Sequence, residues 1–336
     1  MPASLIRSIL SGKKEKKGYE ACSGCGVCLL SCPVWHRTRT MSFTRKARAK
    51  AMQGGAAYEE IAHAIDSCIL CGACEIACPE GIGLAGLNIY QRQELNRQRT
   101  DYPHWYPQEA VDTGSRHINQ KTGSLLLAGD LLGRDNNTSS AIVERLGGIG
   151  KISIAHDDGR DIAKIMEAGL PLKKERVESF ISSVQSARTL VVAEGLLHRP
   201  LRKWLPKKKI VGLGEALLSS ASLRNQLGPE DLYMIESRGY HSDHGRLVLF
   251  YDRLRQETGC HTNLDLQRTA CSTGASSLQG RKDIAAGGCK ENARRILKGR
   301  NVKRIIVEDL ADAEAFRFAT DLPVVHLGLL GIGDAL

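Results

Sequence analysis

The chain has 336 residues, of which 42% are apolar, and this is enough material for two or three domains with their own cores. Its net charge is +10, and nine of these charges belong to residues 1–50, which carry 11 Lys and Arg side chains against only Glu15 and Glu20. The ordinary apolar content excludes a disordered chain, and an aromatic content of 5% disfavours a surface that stacks nucleotides. No apolar run approaches the ~18 residues of a membrane span, so we expect a soluble, cytoplasmic protein.

The first residues add one expectation about membranes. Residues 4–10 (SLIRSIL) are amphipathic, and the lysines that follow them suit an anionic surface. Seven residues are too short for a firm anchor. We therefore expect at most a peripheral position on the inner face of the membrane, held through a partner.

Two groups of four cysteines share the spacing C-x2-C-x2-C-x3-C, and each group is followed by a proline. The groups are Cys22, Cys25, Cys28 and Cys32, and Cys68, Cys71, Cys74 and Cys78. This spacing is typical of ferredoxin-type 4Fe-4S sites, in which three thiolates bind one cluster and the fourth binds the other. The sequence thus predicts two 4Fe-4S clusters. One would be held by Cys22, Cys25, Cys28 and Cys78, and the second by Cys68, Cys71, Cys74 and Cys32.

Two alternatives for the cysteines are less favoured. Structural zinc sites usually pair two C-x2-C knuckles across a longer loop, without a third cysteine or a trailing proline. Disulfides are disfavoured because C-x2-C pairs in an intracellular chain are normally metal ligands or redox pairs. The small residues Gly24, Gly26, Gly72 and Ala73 would let backbone N–H groups approach the sulfides of a cluster.

The residues between and after the two motifs predict helices. Residues 42–52, with Ser42 as a plausible cap, and residues 57–66 are rich in helix formers, and residues 84–99 follow the second motif. Residues 18–100 therefore resemble the helical dicluster ferredoxin domain found in the heterodisulfide reductase family. They are also similar to the iron–sulfur subunit of anaerobic glycerol-3-phosphate dehydrogenase and, more remotely, to that of succinate dehydrogenase.

The remainder of the chain alternates short apolar strands with helices, which implies parallel βαβ units. We predict strands at 124–128, 151–155, 189–193, 209–213, 231–236, 302–307 and 322–327, with helices such as 139–146, 174–184, 246–258 and 290–297 between them. Residues 187–218 line up with 302–332 as strand, helix, strand and Leu-Gly. The predicted fold class is thus a multidomain α+β protein: a helical dicluster ferredoxin domain at 1–100, a linker at 101–122, and two repeated parallel-sheet modules at 123–220 and 230–334.

This domain order is similar to the catalytic subunit of membrane-type heterodisulfide reductase and to the iron–sulfur subunit of glycolate oxidase. The resemblance implies a cysteine after the first strand of each module, then a Cys-Cys-Gly turn and a later C-x2-C. Other residues stand at these positions here: Asp130, Asp157, Asp158, Glu194 and Leu197 in the first module, and Asp243 or His244, Cys271, Ser272, Asp309 and Asp312 in the second. We expect the four aspartates at 157, 158, 309 and 312 to be solvated turn and cap residues. Cys271 would be the sole survivor of the signature, too little to bind a further cluster.

The leading functional hypothesis is a non-catalytic electron-transfer subunit within a hetero-oligomeric oxidoreductase complex. Its partners would be a flavoprotein dehydrogenase or electron-transfer flavoprotein, and a quinone-linked, membrane-bound or iron–sulfur acceptor. One alternative keeps a catalytic role of the heterodisulfide reductase kind on Cys260, Cys271 and Cys289, although buried small hydrophobes are the simpler interpretation of these cysteines.

A more remote alternative is a redox-sensing protein that binds nucleic acid. It depends on the basic N-terminus and on a second basic cluster after the third predicted strand. Such residues more often form a solvated face or a docking patch. These residues are Lys13, Lys14, Lys16, Lys17, Arg37, Arg39, Arg45, Lys46, Arg48, Lys50, Arg199, Arg202, Lys203, Lys207, Lys208 and Lys209.

Overall fold

The computed structural model describes residues 18–107, 123–148, 150–284 and 288–332. The amphipathic segment at 4–10, its lysines, most of the predicted linker and the last residues of the second predicted module lie outside these ranges. Within them, no helix combines the length and the apolar character that crossing a membrane requires.

The N-terminal region is helical over its described residues, as the sequence predicts. Its helices are α1 Val27–Leu30, α2 Pro33–Thr38, α3 Arg45–Gln53, α4 Ala62–Asp66, α5 Ala73–Ile76 and α6 Leu84–Asn96, with 3₁₀ turns at Tyr19–Ala21, Met41–Phe43 and Glu59–Ile61. The predicted cap at Ser42 is wrong. Ser42 lies in a 3₁₀ turn, and the Thr44 hydroxyl accepts the hydrogen bond from the Ala47 N–H at 3.2 Å, so α3 begins at Arg45.

Two four-stranded parallel sheets follow, and they have the same topology. The first has the order β2-β1-β3-β4 and the second the order β6-β5-β7-β8. The strands are β1 Ser124–Leu127, β2 Ile152–Ile154, β3 Thr189–Val192, β4 Lys209–Gly212, β5 Asp231–Met234, β6 His261–Thr262, β7 Arg304–Val307 and β8 Val324–His326. The two repeated α/β modules are therefore confirmed. The sequence missed β6 because two residues, one of them a histidine, make no apolar run.

Helices cover both faces of each sheet. They are α7 Gly129–Leu132, α8 Asn136–Arg145, α9 Arg160–Ala168, α10 Lys174–Val184, α11 His198–Trp204, α12 Leu213–Leu218, α13 Ala221–Arg224, α14 Ser237–Ser242, α15 His244–Thr258, α16 Leu278–Lys282, α17 Gly288–Leu297 and α18 Leu310–Arg317, with 3₁₀ turns at Gly195–Leu197 and Leu327–Leu329. Successive strand residues point to opposite faces, so each strand contributes to two cores. Leu126 of β1 and Tyr233 of β5 belong to one hydrophobic cluster, so the two sheets share a core.

The N-terminal helical region and its second cysteine loop pack against the modules through buried polar contacts. Arg92 of α6 donates to the Glu167 carbonyl oxygen at 2.5 Å, and its guanidinium stacks over the buried Trp105 ring at 4.7 Å. The ring nitrogen Nδ1 of His241 lies 2.7 Å from the Cys71 carbonyl oxygen. The cysteine loop at 68–74 is thus held between helices of both modules. The predicted domain boundaries themselves stay a prediction.

A buried ion pair joins the two modules to this loop and gives a test of their association. Arg238 makes a bidentate pair with Glu167 at 2.9 and 2.8 Å and also donates to the Ile69 carbonyl oxygen at 2.9 Å. We expect Arg238→Ala to lower the free energy of unfolding by about 3–5 kcal/mol, because it leaves the Glu167 carboxylate buried without its partner. Urea denaturation monitored by circular dichroism measures this.

The matched control is Arg97→Ala, which removes the exposed partner of Glu94 and should cost under about 1 kcal/mol. The double variant Arg238→Met with Glu167→Leu should recover much of the loss, since it removes both buried charges together. A loss for Arg238→Ala no larger than that of the control would contradict the assignment.

Candidate metal centre

Four thiols from two separate loops line one cavity. Cys22 and Cys25 come from the loop that leads into α1, Cys28 lies in α1 itself, and Cys78 follows α5. Cys25 is exposed and the other three are partly buried. The structure therefore brings together the residues of the first predicted ligand set, at the surface of the protein.

The second set lies deeper. Cys71 and Cys74 are buried, and Cys32 packs with Cys71 in a small hydrophobic cluster beside Val34. These thiols also act on one another electrostatically: negative charge on Cys32, Cys68 or Cys71 raises the pKa of Cys74 beyond what burial does. Cys74 also packs in a cluster with Cys22, Cys28 and Cys78, so the two groups of thiols adjoin each other. Which four thiols would bind each cluster stays a prediction.

The two cysteine loops have the same backbone path, although their sequences differ. Gly24 and Gly26 have φ of +81° in the first loop, and Leu70 and Gly72 have φ of +53° and +86° in the second. A left-handed leucine costs about 1–2 kcal/mol relative to glycine. Leu70 is 3% exposed and packs in the same hydrophobic cluster as Ile89, so this packing holds the strained conformation. That Gly72 and Ala73 let backbone N–H groups approach a cluster stays a prediction.

Two buried arginines on α3 lie beside the cysteines. Arg45 donates from Nη2 to the Cys68 sulfur at 2.8 Å. Arg48 is 3% exposed, lines the cavity of the first set, and has Nε and Nη1 buried without any hydrogen-bond partner among the described residues. Burial lowers the pKa of Arg48 to about 10, and the neighbouring Arg45 adds to the effect. Unpaired buried guanidinium N–H groups are costly unless an anion accepts them.

These observations match the needs of an iron–sulfur cluster. A cluster bound by four thiolates is anionic and carries sulfides that accept hydrogen bonds, so it would satisfy Arg48 and balance both guanidinium charges. The residues present therefore fit the predicted cofactor. Sequence reasoning noticed Arg45 and Arg48 only as basic residues, although their i, i+3 spacing on a helix between the two motifs was a usable signal.

Burial also determines the protonation of the thiols. It raises the pKa of Cys28 to about 11 and that of Cys71 to about 12. Cys68 differs, because the guanidinium groups of Arg45 and Arg48 outweigh its burial and lower its pKa to about 7. Metal binding requires thiolates, so binding of a cluster would release protons from Cys28 and Cys71.

The structure corrects the predicted correspondence between the turns of the two modules. In the first module Asp157, Asp158 and Gly159 form a turn in which Gly159 N–H donates to Asp157 Oδ1 at 3.2 Å and Arg160 N–H donates to Asp158 Oδ1 at 3.1 Å. The second module repeats these bonds at 272–274, where Gly274 N–H donates to the Ser272 hydroxyl at 3.0 Å and Ala275 N–H to the Thr273 hydroxyl at 3.1 Å.

The turn equivalent to Asp157-Asp158-Gly159 is therefore Ser272-Thr273-Gly274. Cys271 precedes this turn and is not a survivor of the doublet. The strand pairing gives an alignment of the two modules. Ser124 of β1 pairs with Thr189 of β3, and Asp231 of β5 pairs with Arg304 of β7. Ser124 therefore corresponds to Asp231, and the end of β1 to the end of β5. Ser237, not Asp243 or His244, is then the counterpart of Asp130.

Ion pairs and hydrogen bonds occupy these positions. Asp157 is paired with Arg176 at 2.7 Å, and Glu194 with Arg281 at 3.2 Å. Asp157, Asp158 and Asp312 are less than a tenth exposed, so the expectation that they are solvated is wrong; Asp309 does cap α18 by accepting from the Ala311 N–H. Carboxylates paired with arginine stand at these positions, and this set does not suit a further iron–sulfur cluster.

The three remaining cysteines lie apart. Cys260 and Cys289 are buried in different hydrophobic clusters, and Cys271 packs against a third. In the described ranges, no three His, Cys, Asp or Glu side chains are arranged to hold a single metal ion. The structure does not bring Cys260, Cys271 and Cys289 together.

A comparison with known families bears on the N-terminal region. Residues 18–82 match the 4Fe-4S dicluster domain. The match supports a ferredoxin-type iron–sulfur protein with a role in electron transfer, and it ends before the first module. No curated protein and no solved structure matches the chain.

Proposed function

We propose that this chain is an electron-transfer subunit of an oxidoreductase complex and carries two 4Fe-4S clusters. The first would be held by Cys22, Cys25, Cys28 and Cys78, and the second by Cys68, Cys71, Cys74 and Cys32. The observation that carries the proposal is that the two groups of four cysteines lie together, with the buried, partly unpaired Arg48 beside them.

The different depths of the two sets support a relay. The first set faces solvent at Cys25, whereas Cys71 and Cys74 of the second are buried. When bound, each cluster takes up and releases one electron. The protein's own contribution is to place the sets side by side, to exclude water from the inner one and to supply positive charge from α3.

Full cysteine ligation leaves no open iron position, so we propose a relay without substrate chemistry. The modules would then serve as packing and docking surfaces, and the partners would be a flavoprotein dehydrogenase and a quinone-linked or iron–sulfur acceptor. Ion pairs such as Glu194–Arg281 stand where the resemblance implies cysteines, and this supports the division of roles.

Anaerobic purification followed by iron and sulfide analysis tests the proposal. We expect about eight iron atoms and about eight inorganic sulfides per chain, and electron paramagnetic resonance of the reduced protein should show two interacting centres. Cys260→Ser is the control, since Cys260 is buried in the shared core of the modules, and it should leave both numbers unchanged. A protein that holds zinc without iron would refute the proposal.

A further inference from the structure

A groove between α2 and α17 carries cations on both of its walls. The α2 wall contributes Arg37 and Arg39 with His36, and the α17 wall contributes Arg294, Arg295 and Lys298. Glu291 is the one carboxylate among the described residues that line it. The groove therefore joins the N-terminal region to the second module through a strongly positive surface.

The cations of this groove are available to a partner. Arg39, Arg294 and Lys298 are exposed, and in the described parts of the chain none of the five cations forms an ion pair with a carboxylate. The Nε of Arg295 is buried without a hydrogen-bond partner among those residues. Self-repulsion among unpaired like charges costs stability, so their concentration at one place favours a function in binding an anionic surface.

His36 does not add to this charge. Burial lowers its pKa, helped by the nearby Arg295 and Arg39, and its Nε2 lies 2.7 Å from the Leu30 carbonyl oxygen. The positive character of the groove therefore comes from its arginine and lysine side chains.

The groove lies next to a predicted cluster ligand. Cys32 is the N-cap residue of α2, and the His36 N–H donates to the Cys32 carbonyl oxygen at 3.0 Å. His36 is four residues along the helix from Cys32, which corresponds to about 6 Å of helix rise. A redox centre brought to this surface would be separated from the inner cysteine set by little more than α2.

We propose that this groove, defined by Arg37, Arg39, Arg294, Arg295 and Lys298, is the docking surface for an acidic one-electron carrier protein. The proposal rests on the proposed function, because the carrier exchanges its electron with the cluster that Cys32 would ligate. One electron passes, the carrier is oxidised by one electron and the cluster is reduced by one, with no bond made or broken. Charge complementarity selects the partner, and its main effect is on the rate of association.

The probe is an acidic flavodoxin. Its binding to the wild-type protein is measured by isothermal titration calorimetry at several salt concentrations, and reduction of the clusters by the reduced flavodoxin is followed by stopped flow. We expect Arg294→Glu with Lys298→Glu to lower both the affinity and the bimolecular rate at low salt by at least tenfold. Added salt should lower both quantities for the wild type and reduce the difference between the two proteins.

The matched control reverses two exposed cations elsewhere, Arg253 on α15 and Lys207, and therefore has the same net charge. Arg253→Glu with Lys207→Glu should stay within about twofold of the wild type. Iron content and circular dichroism check that both variants are folded. Equal losses in the two variants, or no loss in either, would overturn the docking surface.

Two further outcomes separate this inference from its rivals. If the flavodoxin does not bind but a labelled DNA duplex does, and the groove variant abolishes that binding, the surface recognises nucleic acid and the proposal fails. If flavodoxin binding depends on the groove while the chain holds no reducible cluster, the relay fails and the docking surface stands, because calorimetry does not require a cluster.

Discussion

Replacing Cys25 and Cys78 together with alanine should leave one intact cluster and about four iron atoms per chain. Both residues line the same cavity, so both substitutions damage the same predicted cluster. Replacing Cys25 and Cys32 together should damage both clusters, because Cys32 packs with Cys71 in the other set. Alanine is chosen because it cannot replace a thiolate, whereas a serine oxygen can.

Iron analysis and electron paramagnetic resonance distinguish the two double variants. The Cys25→Ala with Cys78→Ala protein should lose the magnetic interaction between the centres and keep one normal signal. The Cys25→Ala with Cys32→Ala protein should show neither normal signal. If the results were reversed, each motif would ligate its own cluster and the crossed assignment would be wrong.

Replacing Arg48 with methionine should lower the midpoint potential of at least one cluster. A reduced cluster has one more negative charge than an oxidised one, and the buried guanidinium stabilises the reduced form most. We expect the one-electron equilibrium to change by about tenfold, equivalent to about 59 mV. A redox titration monitored by electron paramagnetic resonance measures the change without any partner protein.

Two other variants sharpen this result. Arg48→Lys keeps the charge and should retain most of the wild-type potential. Arg253→Met removes an exposed cation on α15 and should leave the potential unchanged. The apo form of Arg48→Met should also be more stable than the wild-type apo protein, because a buried guanidinium without an acceptor is unfavourable. An unchanged potential in Arg48→Met would show that this group does not act on the clusters.

The iron–sulfur motif and the repeated α/β pattern could both be predicted from the amino-acid sequence. Both signals are local: the cysteine spacing is fixed within short loops, and apolar runs such as 189–192 alternate with helices at the period of a parallel sheet. Helix ends such as the start of α3 were missed because Thr44 and Ser42 are equivalent as sequence signals, and only the backbone path selects the cap.

Features that depend on residues far apart in the chain followed only from the fold. Packing in three dimensions left Nε and Nη1 of Arg48 buried without a partner among the described residues, and it aligned Ser272, not Cys271, with Asp157. It also put α2 against α17, so that Arg37 and Arg294, more than 250 residues apart in the sequence, line one groove. The physical reason is that charge and burial act through space, so local patterns name the residues and only the fold decides which of them are neighbours.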